Sequence, residues 1–238
     1  MRTGIFVQVR LGSLRLPSKA LLPLPGGSVI QHVMRAVQGI PAEVRALLTD
    51  ERSRDALMPH AQAEGFEVLT GSPDDVLDRY CTACEKRDVD RVVRVTGDNP
   101  LTSARFATSI LALHEQARAD LSHYLGNPWG TGVEIIESRA LFTARRHAAG
   151  SEEREHITTW MYRHPDGFTI IEPRAPEVSY FPEGRVTVDT EEDYRLVTRI
   201  FDELYRGEPI ELDRLVPWLK AHQGHSPQKA GGTGSTHA

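Results

Sequence analysis

The chain has 238 residues, of which 39% are hydrophobic and 26% are charged, a composition that allows a globular protein to bury a sizeable core. Its formal net charge of −5 argues against a general nucleic-acid binder, and no apolar run is long enough to cross a membrane. Because no signal-peptide pattern precedes the first apolar run, we expect a cytoplasmic protein without a nucleic-acid or membrane partner.

The first apolar run, residues 5–7, stops at Gln8 and opens into a cationic loop. The loop combines three cations with small residues: Arg10, Gly12, Ser13, Arg15 and Lys19. Loops at the carboxyl end of a parallel strand are where open α/β sheets bind ligands. Small residues let backbone N–H groups approach an anion, and arginine binds its oxygens in bidentate fashion. From the residues alone, the loop is therefore either a polyphosphate site or a basic surface loop.

Residues 8–19 resemble the first loop of the cytidylyltransferases that make CMP-activated sugars, approximately Gln-Ala-Arg-x-x-Ser-x-Arg-Leu-Pro-x-Lys. Seven residues match this pattern: Gln8, Arg10, Ser13, Arg15, Leu16, Pro17 and Lys19. Val9, Leu14 and Ser18 replace its usual Ala, Thr and Gly. The family includes the acylneuraminate and 3-deoxy-manno-octulosonate cytidylyltransferases, and the chain most resembles the branch named after spore-coat polysaccharide biosynthesis protein F. Walker-type Gly-Lys-Ser/Thr and G-x-G-x-x-G patterns are absent from the loop.

The resemblance implies a three-layer α/β/α nucleotide-diphospho-sugar transferase fold, similar to a Rossmann fold, with a mainly parallel sheet. It implies a nucleotidyltransferase that transfers CMP from CTP to a sugar acid, sugar phosphate or related phosphate or phosphonate acceptor, with Mg²⁺ as cofactor and pyrophosphate as leaving group. Four loop residues would bind the nucleotide: Gln8, Arg10, Gly12 and Ser13. Arg15 and Lys19, both expected to be exposed, would be catalytic and stabilise the pyrophosphate.

Downstream of the loop, strand patterns alternate with helix patterns. Ser28 can cap an apolar-faced helix, residues 44–48 form a strand, Asp50 can cap a helix to about residue 64, and residues 66–69 form a third strand. This alternation predicts right-handed βαβ units and a mainly parallel sheet.

The segment Thr-Gly-Ser-Pro-Asp-Asp at residues 70–75 reads first as a helix start. Ser72 can cap a helix that begins at Pro73, with Asp75 as its capping-box partner. Capping leaves Arg79 unexplained, and it lies either on a solvated helix face or in a site. The spore-coat branch has a similar run beside the nucleotide base. That similarity implies a cytosine site at four residues: Thr70, Gly71, Ser72 and Arg79.

Cys81 and Cys84 form the only cysteine pair in the sequence, within the same predicted helix. A single C-x-x-C cannot complete a zinc site, and the strand-to-helix context of a redox motif is missing. We therefore expect two ordinary helix residues.

A strand at residues 92–95 ends in Gly97-Asp98-Asn99-Pro100. Such a turn uses its Gly, Asn and Pro for conformational reasons. Asp98 is either a turn residue or, at the same sheet edge as the cationic loop, a ligand for triphosphate-bound Mg²⁺. The resemblance favours the catalytic metal ligand. Thr102 and Ser103 stand where the family commonly has another aspartate, which keeps a non-catalytic nucleotide- or carbohydrate-binding homologue open.

The next third of the chain is expected to carry the acceptor side. Helices are predicted at residues 104–118 and 139–147, strands near 121–124 and 133–136, and a further helix capped by Ser151. Glu134 either faces water on an edge strand or works in a site. The resemblance implies acceptor contacts for Glu134, Glu155 and His156, with a local structural role as the alternative for the last two. Strands near 168–171 and 180–181 would belong to an excursion at about 126–185, and the resemblance implies that this excursion forms the arm of a homodimer.

Residues 186–190 predict a last core strand that ends at Asp189. Thr190 can cap the following helix with Asp193 as its partner. Asp189 is therefore free to be a loop carboxylate or, as the resemblance implies, a second metal ligand. Helices over 191–206 and 212–220 close a single domain, residues 1–221, and residues 222–238 are predicted to be a disordered tail.

Three other functions remain open from the sequence. The first is a nucleotidyltransferase that uses another nucleoside triphosphate on the same fold, and the second is the non-catalytic homologue. The third is a glycosyltransferase, which would usually carry Asp-x-Asp after a core strand, and none is present there.

Overall fold

Residues 1–222 are described by a computed structural model, and they form short strands and helices in alternation. The strands are β1 (Thr3–Gln8), β2 (Pro23–Leu24), β3 (Gly27–Ser28), β4 (Val44–Thr49), β5 (Glu67–Thr70), β6 (Arg91–Thr96), β7 (Leu121–Ser122), β8 (Glu134–Glu137) and β9 (Ile170–Ile171). The helices are α1 (Val29–Val37), α2 (Glu51–Ala63), α3 (Val76–Arg87), α4 (Ala104–Ala117), α5 (Ser138–His147), α6 (Ser151–Glu155), α7 (Thr159–Arg163), α8 (Glu191–Leu204) and α9 (Leu212–Ala221).

Seven of these strands form one sheet in the order β5-β4-β1-β6-β8-β7-β9. The four strands β5, β4, β1 and β6 are parallel, β8 is antiparallel to both β6 and β7, and β9 is parallel to β7. The carboxyl ends of β1, β4, β5 and β6 therefore open on one edge of the sheet. The predicted mainly parallel sheet is confirmed.

Helices cover both faces of the sheet, because its central strands are apolar on both sides. Ile5 and Val7 of β1 pack into one core with α1, α4, α8 and α9, whereas Phe6 packs into a second core with α3 and α5. The three-layer arrangement is thus confirmed. No helix within residues 1–222 is both long and apolar enough to span a membrane.

Several predicted helix starts are confirmed, and two are wrong. Ser28, Asp50 and Thr190 are the N-terminal caps of α1, α2 and α8. Ser72 does not cap a helix: α3 begins at Val76 with Asp75 as its cap, and Ser72 Oγ instead accepts from the backbone of residues 74 and 75. Ser151 is the first residue of α6 rather than its cap.

Two predicted strands are absent from the described chain, and two are shorter than expected. Residues 180–181 follow a single 3₁₀ turn, Glu177–Ser179. Residues 186–190 are not a strand, because only two backbone N–H groups there, those of Val186 and Val188, bond across to Trp129 and Asp98. Val186 and Val188 are both buried in the same core as Ile5 and Val7, and this burial, not ladder pairing, explains their apolar pattern. Strands β7 and β9 have two residues each.

Two further predictions concern the cysteines of α3 and the C-terminal tail. Cys81 and Cys84 are buried free thiols on α3, as expected, and burial raises the pKa of Cys81 to about 12 and of Cys84 to about 11. The expected tail lies outside the described residues apart from His222, which follows α9 and stacks on Trp218.

Candidate active site

The ammonium group of Lys19 lies between two carboxylates at the carboxyl edge of the sheet. Its Nζ is 2.6 Å from Asp98 Oδ2 and 2.8 Å from Asp189 Oδ1. The cationic loop after β1, the turn after β6 and the segment before α8 therefore meet at one point. Only 13% of the Lys19 side chain is exposed, so the expectation that Lys19 is exposed is wrong. It is covered because it neutralises a pair of carboxylates.

Asp98 reaches this point because the turn after β6 packs tightly against β1. Gly97 donates its N–H to Gln8 O at 2.7 Å, and a Cβ at Gly97 would lie 2.7 Å from Val9 Cβ. Only glycine fits this approach without displacing backbone or side chain. Asp98 O in turn accepts from the N–H of Val188 at 2.9 Å. The turn glycine and this bond hold Asp98 opposite residue 189.

Asp189 is surrounded by three cations. Besides Lys19, its Oδ1 lies 3.2 Å from Arg15 and its Oδ2 lies 2.5 Å from Arg185. Burial opposes ionisation of this carboxyl, but the hydrogen bond and charge of Lys19, together with Arg15 and Arg185, outweigh it and hold the pKa of Asp189 below its ordinary value. Asp189 is therefore an anion at neutral pH.

The start of α8 fixes the backbone beside Asp189. Thr190 and Asp193 form the predicted capping box. Asp193 Oδ2 also accepts from the N–H of Asp189 at 3.1 Å. The buried carboxylate of Asp193 thus holds the backbone of Asp189 in place.

The carboxylate pair has the donor chemistry that Mg²⁺ requires. Asp98 Oδ2 and Asp189 Oδ1 are hard anionic oxygens that already converge on one cation, the ammonium of Lys19. Asp98 Oδ1 has no hydrogen-bond partner in the part of the chain that the structure describes. Residues 1–222 contain no group of three or more His, Cys, Asp or Glu arranged for a metal, so phosphate oxygens and water would complete the coordination.

The rest of the cationic loop is open to solvent. Arg10 and Gly12 are exposed, Ser13 is half-buried, and a Cβ at Gly12 would meet nothing within 4 Å. Arg15 is 65% exposed, so the expectation for this residue is confirmed. Gln8 is half-buried at the end of β1.

The base of the loop is anchored by a residue that the sequence did not indicate. The N–H of Leu11 donates to Ser53 Oγ on α2 at 3.1 Å, and Ser18 N–H donates back to Leu11 O at 3.1 Å. Ser18 adopts φ 54°, which explains why glycine is common at this position in the resembled loop. The cationic side chains therefore project from a loop whose backbone is fixed by these two hydrogen bonds.

The residues assigned to cytosine follow β5 on the same edge. Thr70, Gly71 and Ser72 are half-buried. Arg79 is 3% exposed, and its Nε and one terminal nitrogen donate to Ser72 O at 3.1 and 2.5 Å. Arg79 therefore supports the 70–73 loop, and the alternative that it lies on a solvated helix face is wrong because its side chain is buried.

The three residues assigned to the acceptor differ in burial and in position relative to the cationic loop. Arg10 forms an ion pair with Glu155 at 3.3 Å, which brings α6 beside the cationic loop, and His156 is exposed next to it. Glu134 is buried on β8 between β6 and β7, where it pairs with Arg94 and accepts from Thr158 at 3.2 Å. The alternative that Glu134 faces water on an edge strand is wrong. Its carboxylate is buried because the guanidinium of Arg94, forty residues away in the chain, neutralises its charge.

Thr102 and Ser103 have structural roles at the start of α4. Both are buried; Thr102 Oγ1 donates to Asn99 O at 2.9 Å, and Ser103 Oγ caps the helix by accepting from Phe106 N at 3.2 Å. In the described chain, neither side chain hydrogen-bonds to Lys19, Asp98 or Asp189.

Comparison with known proteins gives three consistent results. Residues 5–213 match the family model described as cytidylyltransferase. The chain is 27% identical to spore coat polysaccharide biosynthesis protein SpsF of Bacillus subtilis, over 90% of this chain and 92% of the relative. It is 26% identical to a 3-deoxy-manno-octulosonate cytidylyltransferase of Acidobacterium capsulatum, over 82% of this chain and 94% of the relative.

Solved structures support the fold. A cytidylyltransferase from Leptospira borgpetersenii superposes with a TM-score of 0.88 at 24% identity, over 98% of this chain and 99% of that one. A CMP:2-keto-3-deoxy-manno-octonic acid synthetase complexed with CTP superposes with a TM-score of 0.65 at 17% identity, over 85% of this chain and 99% of that one. The three-layer nucleotidyltransferase fold expected from the sequence is confirmed.

Proposed function

The chain belongs to the cytidylyltransferase family and is a nucleotidyltransferase, and on that premise we propose that it transfers CMP from CTP to a sugar acid and releases pyrophosphate. The observation that carries the proposal is the convergence of Lys19, Asp98 and Asp189 at the edge of the sheet, beside an exposed cationic loop. A sugar acid is the acceptor class because relatives named 3-deoxy-manno-octulosonate cytidylyltransferase cover most of the chain.

In the proposed reaction an acceptor oxygen attacks the α-phosphorus of CTP in line. The bond from that oxygen to phosphorus forms while the bond to the bridging oxygen of pyrophosphate breaks, and the proton of the acceptor hydroxyl is released to water, so no covalent enzyme intermediate is needed. The exposed guanidinium groups of Arg10 and Arg15 would hold phosphate oxygens. Lys19 would stabilise charge on the departing pyrophosphate.

Asp98 and Asp189 would hold Mg²⁺, which when bound supplies charge neutralisation for the triphosphate and lowers the pKa of the acceptor hydroxyl. Because Lys19 Nζ is bonded to both carboxylates, it must move toward the phosphates for both oxygens to become available. Thr70, Gly71 and Ser72 would contact the base, and Glu155 and His156 would face the acceptor. Glu134 would contribute to acceptor binding indirectly, by holding the side chain of Arg94.

A role in polysaccharide biosynthesis follows from the name of the Bacillus subtilis relative and is part of this proposal. The proposed homodimer would use the apolar surface near the 126–185 excursion, where Leu125, Trp129 and Val178 expose about half of their surface or more. The alternative, a non-catalytic nucleotide- or carbohydrate-binding homologue, would bind CTP without releasing pyrophosphate from it.

The first expected result concerns the choice of nucleotide. CTP should bind at least ~10-fold more tightly than UTP, about 1.4 kcal/mol, because cytosine has an exocyclic donor where uracil has an acceptor and a mismatch leaves a polar group unpaired. Isothermal titration calorimetry with Mg²⁺ present measures both affinities. Equal affinities for CTP and UTP would contradict the assignment to cytidylyl transfer and favour another nucleoside triphosphate.

A further inference from the structure

Arg185 lies outside every motif of the sequence, yet it contacts the centre of the site. Its terminal nitrogen is 2.5 Å from Asp189 Oδ2. The other oxygen, Oδ1, faces Lys19 at 2.8 Å and Arg15 at 3.2 Å. The two oxygens of Asp189 therefore have different partners, and Arg185 holds the one that points away from Lys19.

Arg185 is itself held in place from two sides. Its Nε lies 3.5 Å from Oδ1 of Asp193, whose other oxygen accepts from the backbone N–H of Asp189 and Thr190. Its neighbours Gly184 and Val186 both bond to the backbone of Trp129 at 2.8 Å. The Arg185 side chain is 39% exposed. Its guanidinium thus extends from a backbone that is held by Trp129 to the carboxylate of Asp189, whose own backbone is held by Asp193.

A guanidinium in this position restricts the orientation of the Asp189 carboxylate. The last torsion of an aspartate side chain is broad, so an isolated carboxylate samples many orientations. A charge-assisted hydrogen bond to Oδ2 removes much of that freedom and leaves Oδ1 directed at the Lys19–Asp98 side. Groups that hold a ligand side chain in this way commonly raise metal affinity by 10–100-fold.

We propose that Arg185 is a positioning residue for cytidylyl transfer: it holds Asp189 Oδ2 so that Oδ1 is presented to the divalent cation that enters with CTP. This inference rests on the proposed function. It differs from a direct role of Arg185 on the phosphates, which the partial exposure of its side chain would allow, and the two roles make different predictions for metal and nucleotide binding.

The test compares wild type with Arg185→Gln, Arg185→Lys and the control Arg195→Gln. Arg195 is an exposed arginine on α8 whose partner, Glu191, lies on the same helix surface. Mn²⁺ binding in the presence of CTP is followed by electron paramagnetic resonance, and CTP binding in EDTA by calorimetry. Arg185→Gln should weaken Mn²⁺ about 10-fold and leave metal-free CTP binding within about 2-fold. Arg185→Lys, which keeps a cation near Oδ2, should recover part of the Mn²⁺ affinity, and Arg195→Gln should match wild type.

Three outcomes would overturn the inference. Unchanged Mn²⁺ affinity in a folded Arg185→Gln variant would remove the positioning role. A loss of metal-free CTP affinity as large as the loss of Mn²⁺ affinity would assign Arg185 to the phosphates instead. A wild-type protein that binds no Mn²⁺ with CTP would overturn the proposed function as well. Arg185→Lys provides the same comparison if Arg185→Gln does not fold, with a Mn²⁺ affinity below that of wild type as the expected result.

Discussion

Replacing Lys19 with methionine should lower the turnover of CTP by roughly 30- to 1,000-fold, which corresponds to about 2–4 kcal/mol of lost transition-state stabilisation. Methionine keeps the length of the side chain but removes the charge that would stabilise the departing pyrophosphate. The measurement is kcat with saturating CTP and acceptor. Turnover within a few-fold of wild type would show that Lys19 serves only to neutralise Asp98 and Asp189.

The same variant should change stability in a way that depends on divalent cations. Without the ammonium, the half-buried Asp98 carboxylate loses the cation that contacts it in the described chain and faces Asp189, which keeps Arg15 and Arg185, so the charge of Asp98 is left uncompensated. Lys19→Met should therefore melt below wild type in EDTA and recover on addition of millimolar Mg²⁺. Arg15→Met is the matched control: its side chain is largely exposed, so its melting temperature should stay near that of wild type with and without the ion.

Replacing Asp98 with asparagine should cost at least ~100-fold in turnover, about 2.7 kcal/mol on the barrier, with only a small change in melting temperature. The turn contact of Asp98 is made by its backbone carbonyl, which accepts from the N–H of Val188, and asparagine keeps it, so a residue that only shaped the turn would tolerate the change. A Mg²⁺ ligand would not, because the ion needs the full negative charge to offset its dehydration. Steady-state rates and thermal melts of the same preparation separate the two roles.

The Mg²⁺ dependence of the Asp98→Asn variant gives the sharper comparison. Its residual activity should require much more Mg²⁺ than wild type. Asp189→Asn should behave similarly if both carboxylates bind the ion, and more mildly if Asp189 acts through water. A native Mg²⁺ dependence in Asp98→Asn would mean that CTP alone holds the ion, and Asp98 would then be a turn residue.

The convergence at the sheet edge was predictable from the sequence for a topological reason. Parallel strands place their carboxyl ends on the same side, so the loop after β1 and the turn after β6 had to lie together. Asp98 follows one of these strands and Lys19 the other. The helix caps at Ser28, Asp50 and Thr190 were also predictable, because each depends on residues three positions apart.

What the sequence did not predict depends on partners distant along the chain. Glu134 carries no local sign that Arg94, forty residues away, will neutralise it. Arg185 is the exception: its partner Asp189 lies four residues away, but in an irregular segment whose spacing predicts no contact. The burial of Lys19 follows from two carboxylates that lie 79 and 170 residues away. Such pairings are set by tertiary packing, which periodicity and motif spacing do not encode.

The most direct test of the central claim measures pyrophosphate release from CTP with Mg²⁺ and a panel of sugar acids, in wild type and Asp98→Asn. We predict release that depends on the sugar acid, is much slower with UTP, and falls at least ~100-fold in the variant. No pyrophosphate release from CTP with any sugar acid, or equal rates in wild type and Asp98→Asn, would contradict the account.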